Sequence, residues 1–127
     1  MLISEKNEYG VVTIDDGLIY QLFAEAIKPF EGKAKDMGDR EVRYGENGLY
    51  AYTGISIRIG NSISGICSAI IEYIVKTCSE NLEVPVDDII IDVLQMTTAI
   101  TTVKRNIRVS YRGGIQQEEE SIADQPE

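Results

Sequence analysis

One amphipathic stretch constrains the fold of this chain more than any other feature. Residues 60–82 run GNSISGICSAIIEYIVKTCSENL, and their apolar members recur at spacings of three and four. These members are Ile63, Ile66, Cys67, Ile70, Ile71, Ile74, Val75 and Cys78. The spacing predicts a helix of about five turns with one apolar face and with Asn61 or Ser62 as its N-cap. Because ordering the backbone costs conformational entropy, such a helix needs a partner layer on which to bury that face.

A strictly alternating stretch supplies that layer. Residues 49–59 form the longest predicted strand, and their side chains point alternately to two faces. The first face carries Leu49, Ala51, Thr53, Ile55, Ile57 and Ile59, and the second carries Tyr50, Tyr52, Ser56 and Arg58. We therefore expect the helices to cover the first face, here called the isoleucine face, and to leave the second, tyrosine-bearing face open.

Shorter patterns complete the predicted fold. A β-branched strand at residues 10–14 precedes a helix at 16–28, which Pro29 ends. A short strand at 41–44 leads into the Asn47-Gly48 pair, which favours a tight hairpin. Further strands are predicted at 88–94 and 106–112. The order is β-α-β-β-α-β with an extra C-terminal strand, which predicts a two-layer α+β domain with two helices packed on one face of a mixed sheet.

The remaining segments carry weaker signals. We predict a single domain at residues 1–112 and an acidic, disordered tail at 113–127. Residues 1–9 are expected to be a loose lead-in, and residues 30–39 a loop. Residues 95–103 are ambiguous, because threonines favour a strand while Ile100 and Val103 stand at helical spacing.

Composition limits the classes of function. The 127 residues carry a formal charge of −9, which argues against tight binding to nucleic acid or to anionic lipid. No apolar run reaches the length needed to span a bilayer, and the start lacks the pattern of a signal peptide. We therefore expect a cytoplasmic protein without direct membrane insertion.

The chain offers little for catalysis or metal binding. It contains no histidine, which removes histidine-based triads and a common transition-metal ligand. No phosphate-binding loop or dinucleotide fingerprint is present. The acidic pairs Asp15-Asp16 and Asp87-Asp88 fall at predicted element boundaries, where aspartate caps or turns the chain. We therefore predict no catalytic residue, no cofactor and no metal site, and a protein that is not an enzyme.

The two cysteines are expected to be buried thiols. Cys67 and Cys78 stand eleven residues apart on the predicted helix, which separates them by roughly 16 Å along its axis. A disulfide requires Cα atoms within about 7 Å. They therefore cannot pair with each other and are expected to act as small apolar side chains.

A tyrosine and arginine set is the candidate interaction surface. Tyr50, Tyr52 and Arg58 share the outer face of the long strand, and Arg108 and Arg112 share a face of the last strand. Tyrosines among arginines can stack bases and hold phosphates. The same residue types are enriched at protein interfaces, and a solvated or partner-covered sheet face also explains them.

Three segments of the chain resemble the alkaline-shock-protein family, the Gls-type envelope stress response proteins of Gram-positive-type bacteria. Tyr9-Gly-Val-Val-Thr-Ile14, with residues 16–19 after it, is similar to that family's opening strand and first helix. Ile55-Ser-Ile-Arg-Ile-Gly-Asn-Ser-Ile63 is similar to its alternating strand and the start of its long helix. Leu82-Glu-Val, followed by Asp88-Ile-Ile-Ile-Asp-Val93, is similar to its closing strand.

The resemblance implies a function that the residues alone do not reveal. It implies a non-enzymatic, cytoplasmic protein of envelope homeostasis that acts through self-association and protein–protein contacts. Some relatives are held beneath the membrane by a membrane-anchored protein partner, so association with the membrane through a partner is also implied. The alternative is a small RNA-binding module that uses the open sheet face, although the net charge makes nucleic acid the less expected partner.

Overall fold

A computed structural model of the protein describes residues 2–7, 10–98 and 100–120. Within these residues the chain forms strands and two α-helices in one sequence of elements. They are β1 (Leu2–Asn7), β2 (Gly10–Asp15), α1 (Asp16–Ile27), β3 (Ala34–Gly45), β4 (Gly48–Arg58), α2 (Ile63–Lys76), β5 (Val86–Thr97), β6 (Thr102–Arg112) and β7 (Ile115–Glu120). The predicted α+β class is confirmed, with two strands, β1 and β7, that the predicted order did not contain.

Five strands form one mixed sheet in the order β3-β4-β5-β6-β7. Neighbouring strands are antiparallel except for β4 and β5, which are parallel. A parallel pair requires a crossover connection, and α2 provides it. Strands β1 and β2 form a separate antiparallel pair, so the first predicted strand does not join the main sheet.

The core lies between the helices and the isoleucine face of the sheet. Its largest fully buried side chains are Ile19, Phe23, Leu49, Ile55, Ile57, Ile70, Ile71, Ile74, Val84, Ile89 and Ile91. Both helices contribute to this one cluster, as predicted for two helices on one face. No helix in the described part of the chain is long and apolar enough to cross a membrane.

The long helix begins and ends within the predicted stretch. The Ser62 hydroxyl accepts a hydrogen bond from the Gly65 backbone N–H at 3.0 Å, which confirms one of the two predicted caps. The α-helix ends at Lys76, and a π-helical turn at Thr77–Asn81 follows. This turn widens the helix by one residue per turn and keeps Cys78 buried.

Two predictions around β3 and β4 were wrong. Residues 30–39 were expected to be a loop, but β3 begins at Ala34 and extends through an irregularity between Asp36 and Arg40, where Gly38 has a positive φ. Such a bulge breaks the alternation by which a strand is recognised. Ile59 is exposed and not part of the core, because β4 ends at Arg58 and the chain turns away.

Both ends of the chain also depart from the prediction. Residues 2–7 pair with β2 from Leu2↔Asp15 to Asn7↔Gly10, so this part of the lead-in is a strand. Part of the expected disordered tail forms β7, because Gly113 and Gly114 both adopt positive φ and return the chain along β6 as a two-residue hairpin. Residues 121–127, the rest of the predicted tail, lie outside the described residues.

The ambiguous segment 95–103 resolves into two strands and a turn. Strand β5 continues to Thr97, and β6 starts at Thr102. Between them the Thr98 backbone N–H donates to the Thr101 carbonyl at 2.8 Å, and the Thr98 hydroxyl accepts from the Thr101 backbone N–H at 3.0 Å. The β preference of threonine therefore prevailed over the helical spacing.

Candidate interaction surface

The sheet face opposite the helices, here called the open face, gathers tyrosines, arginines and aspartates from three adjacent strands. The register aligns Tyr50 with Asp88 and Asp88 with Arg112 across β4, β5 and β6. Four residues further along the β5–β6 pair, Asp92 aligns with Arg108. Side chains at paired positions share one face of a sheet, so the strand pairing alone assembles this set.

Asp92 is the centre of the first cluster on the open face. Its Oδ1 accepts from Arg108 Nε at 2.7 Å, and its Oδ2 accepts from Arg108 Nη2 at 2.9 Å and from the Tyr52 hydroxyl at 3.0 Å. The Asp92 side chain is almost fully buried, whereas that of Arg108 is 50% exposed. The guanidinium therefore covers a buried carboxylate and keeps its outer edge in solvent.

The electrostatics of this cluster follow from its contacts. The hydrogen bond to Asp92 raises the pKa of Arg108. Burial, the hydrogen bond to Asp92 and the negative charge of Asp92 raise the pKa of Tyr52 to about 12. Both side chains therefore hold their protons over the ordinary range of pH, and the cluster stays intact.

Asp88 and Arg112 form a second, more open pair. Asp88 Oδ2 accepts from Arg112 Nη2 at 2.6 Å and from Nε at 3.2 Å. Arg112 is 77% exposed, and its hydrogen bond to Asp88 raises its pKa. The Asp88 Oδ1 is buried and makes no hydrogen bond within the described residues, so this pair is less completely satisfied than the first.

Arg43 extends the open face toward the β3 edge. Its guanidinium carbon lies 4.1 Å from the centre of the Tyr50 ring, which is a cation–π contact. The same guanidinium is 3.8 Å from the Glu41 carboxylate. Asp39, Arg40, Glu41, Tyr50, Tyr52 and Arg108 together line a concavity of about 500 Å³.

Four of the five predicted surface residues lie together, and one does not. Tyr50, Tyr52, Arg108 and Arg112 meet on the open face around the two aspartates. Arg58 shares this face by alternation, but it ends β4 and stands about 20 Å from Tyr52 along the strand. It lines a different concavity, together with Lys33 and Lys35.

The aspartates are the residues that the sequence interpretation missed. Asp88 was assigned to a boundary with a turn or capping role; instead it lies within β5, is buried and binds Arg112. A signal was present, because Asp88 and Asp92 have the same spacing of four as Arg108 and Arg112. On adjacent antiparallel strands, equal spacing lets both pairs form at once.

Among the described residues, no group of three or more histidines, cysteines or carboxylates could hold a metal ion. No protein-family model matches the chain, and comparisons with curated proteins and with solved structures also find no match. The geometry of the open face and the likeness of the three sequence segments are therefore the grounds for a functional proposal.

Proposed function

We propose that the protein is a non-enzymatic envelope stress response protein of the alkaline-shock type that acts through self-association and protein–protein contacts. The three sequence segments that resemble that family suggest the cellular role. The observation that carries the molecular part is the open face. On it Tyr52, Arg108 and Arg112 are fixed by the carboxylates of Asp88 and Asp92, and Tyr50 lies beside them under Arg43.

Fixed arginines and tyrosines suit a protein interface. Tyrosine and arginine are the residues that most often dominate binding energy at such interfaces. A guanidinium that is already held by a carboxylate loses less side-chain entropy on binding than a free one. Arg108 and Arg112 are both partly exposed, and the buried carboxylates of the two aspartates hold them in position. They can therefore contact a partner without rearranging.

The same ion pairs favour a protein partner over RNA. Phosphate binding requires positive charge that is not already neutralised. Asp92 and Asp88 neutralise Arg108 and Arg112, and Asp39 and Glu41 line the adjoining concavity. An RNA-binding module would instead show a salt-dependent shift on single-stranded RNA that is lost in Arg108→Glu.

Sedimentation velocity over a concentration series tests the proposal. We expect the protein to self-associate and Tyr50→Ala to weaken the association by about 30-fold, as for an interface residue that carries much of the binding energy. Tyr73→Ala is the matched control, because Tyr73 is a partly exposed tyrosine on α2 that donates to Glu25 at 2.8 Å.

Two results would contradict this function. A protein that stays monomeric at high concentration and recovers no protein partner in pull-downs would lack the contacts that the function requires. Equal weakening by Tyr50→Ala and Tyr73→Ala would show that the open face is not the surface involved.

A further inference from the structure

Exposed hydrophobic side chains concentrate at one end of the sheet. At this end β4 finishes at Arg58 and β5 at Thr97, and β6 begins at Thr102. Ile100 is 95% exposed between β5 and β6, Ile59 is 47% exposed just after β4, and Val103 is 45% exposed at the start of β6. Leaving three aliphatic side chains in water at one place has a free-energy cost, and such concentrations mark interaction sites.

Basic side chains lie at the same end of the sheet. Lys35, Ser56, Gln95 and Lys104 are successive partners across four strands, and adjacent strands are about 4.8 Å apart. The two lysines therefore stand roughly 14 Å apart on the open face. Lys33 and Arg58 lie two residues nearer the end, where the Arg58 backbone N–H donates to the Lys33 carbonyl at 2.8 Å.

These four cations, here called the basic end, differ from the arginines of the candidate interaction surface. Lys33, Lys35, Arg58 and Lys104 are all exposed. Within the described part of the chain none of them forms an ion pair, whereas Arg108 and Arg112 are both neutralised. The basic end therefore carries uncompensated positive charge next to exposed aliphatic side chains.

We propose that the basic end docks on an anionic bilayer surface, with Ile100 entering the interface and the four cations lying over lipid headgroups. Peripheral binding of this kind combines a buried apolar contact with attraction of lysine and arginine to anionic lipid. Ile100 lies beyond the last pair of β5 and β6, Thr97↔Thr102, and it is almost fully exposed, so it is free to contact a surface at this end. This inference goes beyond the proposed function and does not depend on it.

The net charge of −9 predicts repulsion from such a surface, but the distribution of charge matters more than its sum. An eleven-residue strand such as β4 is about 36 Å long. The Debye length at physiological salt is about 8 Å. Acidic residues at the opposite end, such as Asp87 and Glu46, are therefore screened from a membrane that touches the basic end, while the four cations are not.

The side chains present favour lipid over other polyanions. A concavity of about 550 Å³ at the basic end is lined by Lys33, Lys35 and Arg58 with Ser56, Thr97 and Thr98, and its acidic member is Glu31. No aromatic side chain lines it, so it offers no stacking platform for the bases of a single strand. Aliphatic side chains at a turn instead match the acyl boundary of a bilayer.

Vesicle co-sedimentation with the full chain tests this inference. We expect binding to phosphatidylcholine vesicles that contain phosphatidylglycerol, none to pure phosphatidylcholine, and weaker binding at high salt. Each of Lys35→Gln and Lys104→Gln should lower the partition coefficient about fivefold. Ile100→Ser should lower it by at least about tenfold.

Matched controls lie at the opposite end of the sheet. Ile115 is an exposed isoleucine at the start of β7, and Lys76 is an exposed lysine at the end of α2, so Ile115→Ser and Lys76→Gln should leave binding unchanged. All five substituted positions are exposed, and thermal unfolding checks that each variant remains folded.

Three outcomes would overturn the inference: no binding to anionic vesicles, equal loss in the control variants, or binding that Ile100→Ser does not change. If Ile100→Ser left vesicle binding unchanged and the protein bound polyglutamate or RNA as strongly as vesicles, the basic end would be a site for another polyanion. A monomer that binds vesicles would contradict the proposed self-association and leave this inference standing.

Discussion

Asp92 holds Arg108 by two hydrogen bonds, of 2.7 and 2.9 Å, across the β5–β6 pair. This contact joins a carboxylate that is almost fully buried to a guanidinium that is half exposed. It links the core of the sheet to the surface that we assign to protein contacts. The stability of the fold and the shape of that surface therefore depend on the same residues.

Asp92→Asn should destabilise the protein more than Asp88→Asn. The Asp92 carboxylate accepts three hydrogen bonds, two of them from the Arg108 guanidinium. We therefore expect loss of this carboxylate to lower the free energy of unfolding by about 1–3 kcal/mol. Asp88 binds the mostly exposed Arg112, and pairs with an exposed partner contribute about 0–1 kcal/mol. Urea denaturation of both variants measures the difference, and an equal or reversed order would contradict this assignment.

Tyr52 should make the free energy of unfolding depend on pH in the alkaline range. Burial and the hydrogen bond to Asp92 raise its pKa from 10.0 to about 12, so the unfolded chain loses this proton at lower pH than the folded one. The stabilisation is therefore complete below pH 10 and is lost as the pH rises through about 12.

Comparison of the wild type with Tyr52→Phe measures this contribution. The free energy of unfolding of the two proteins, determined by urea denaturation at a series of pH values, should converge between about pH 10 and 12. At neutral pH the variant should be less stable by about 0.5–1.5 kcal/mol, because it lacks the hydrogen bond to Asp92. Parallel curves across this range would show that Tyr52 does not titrate in this way.

Gly48→Ala should be severely destabilising. Gly48 has a φ of 124°, and a Cβ there would lie 2.4 Å from the Pro85 carbonyl oxygen. Because the clash is with the backbone, it cannot be relieved by a side-chain rotation. We therefore expect the free energy of unfolding to fall by at least about 2 kcal/mol. Gly45→Ala is the control at the other side of the same hairpin, because a Cβ there meets no atom within 4 Å. Similar unfolding midpoints for the two variants would contradict the contact.

The sequence predicted those parts of the fold that depend on local periodicity. The alternation from Leu49 to Ile57 and the helical spacing from Ile66 to Ile74 both report burial directly. All six isoleucines of these stretches are in the core: Ile55, Ile57, Ile66, Ile70, Ile71 and Ile74. The predicted hairpin also forms, but its two-residue loop is Glu46-Asn47, because Gly48 already pairs with Gly45 as the first residue of β4.

The parts that the sequence did not predict depend on pairing between segments. Strand β7 is polar after its first residue, Ile115, and so has no alternating apolar pattern of its own. Its pairing with β6 forms it instead. The bulge at residues 36–40 hid the start of β3 in the same way. The tyrosines and arginines of the candidate surface were found by residue type, whereas Asp88 and Asp92 become visible only once β5 and β6 are aligned.

The two cysteines should be unreactive until the protein unfolds. Cys67 and Cys78 are both fully buried free thiols, as predicted, and burial raises the pKa of Cys67 to about 12 and that of Cys78 to about 11. At a pH near 8 a thiol with a pKa near 11 is ionised to only about 0.1%, and the reagent cannot reach it in the folded chain. Labelling with a chromogenic disulfide reagent should therefore proceed at the rate of unfolding and accelerate with urea. Rapid labelling of either thiol in the native protein would show that α2 and the π-helical turn do not pack against the sheet as described.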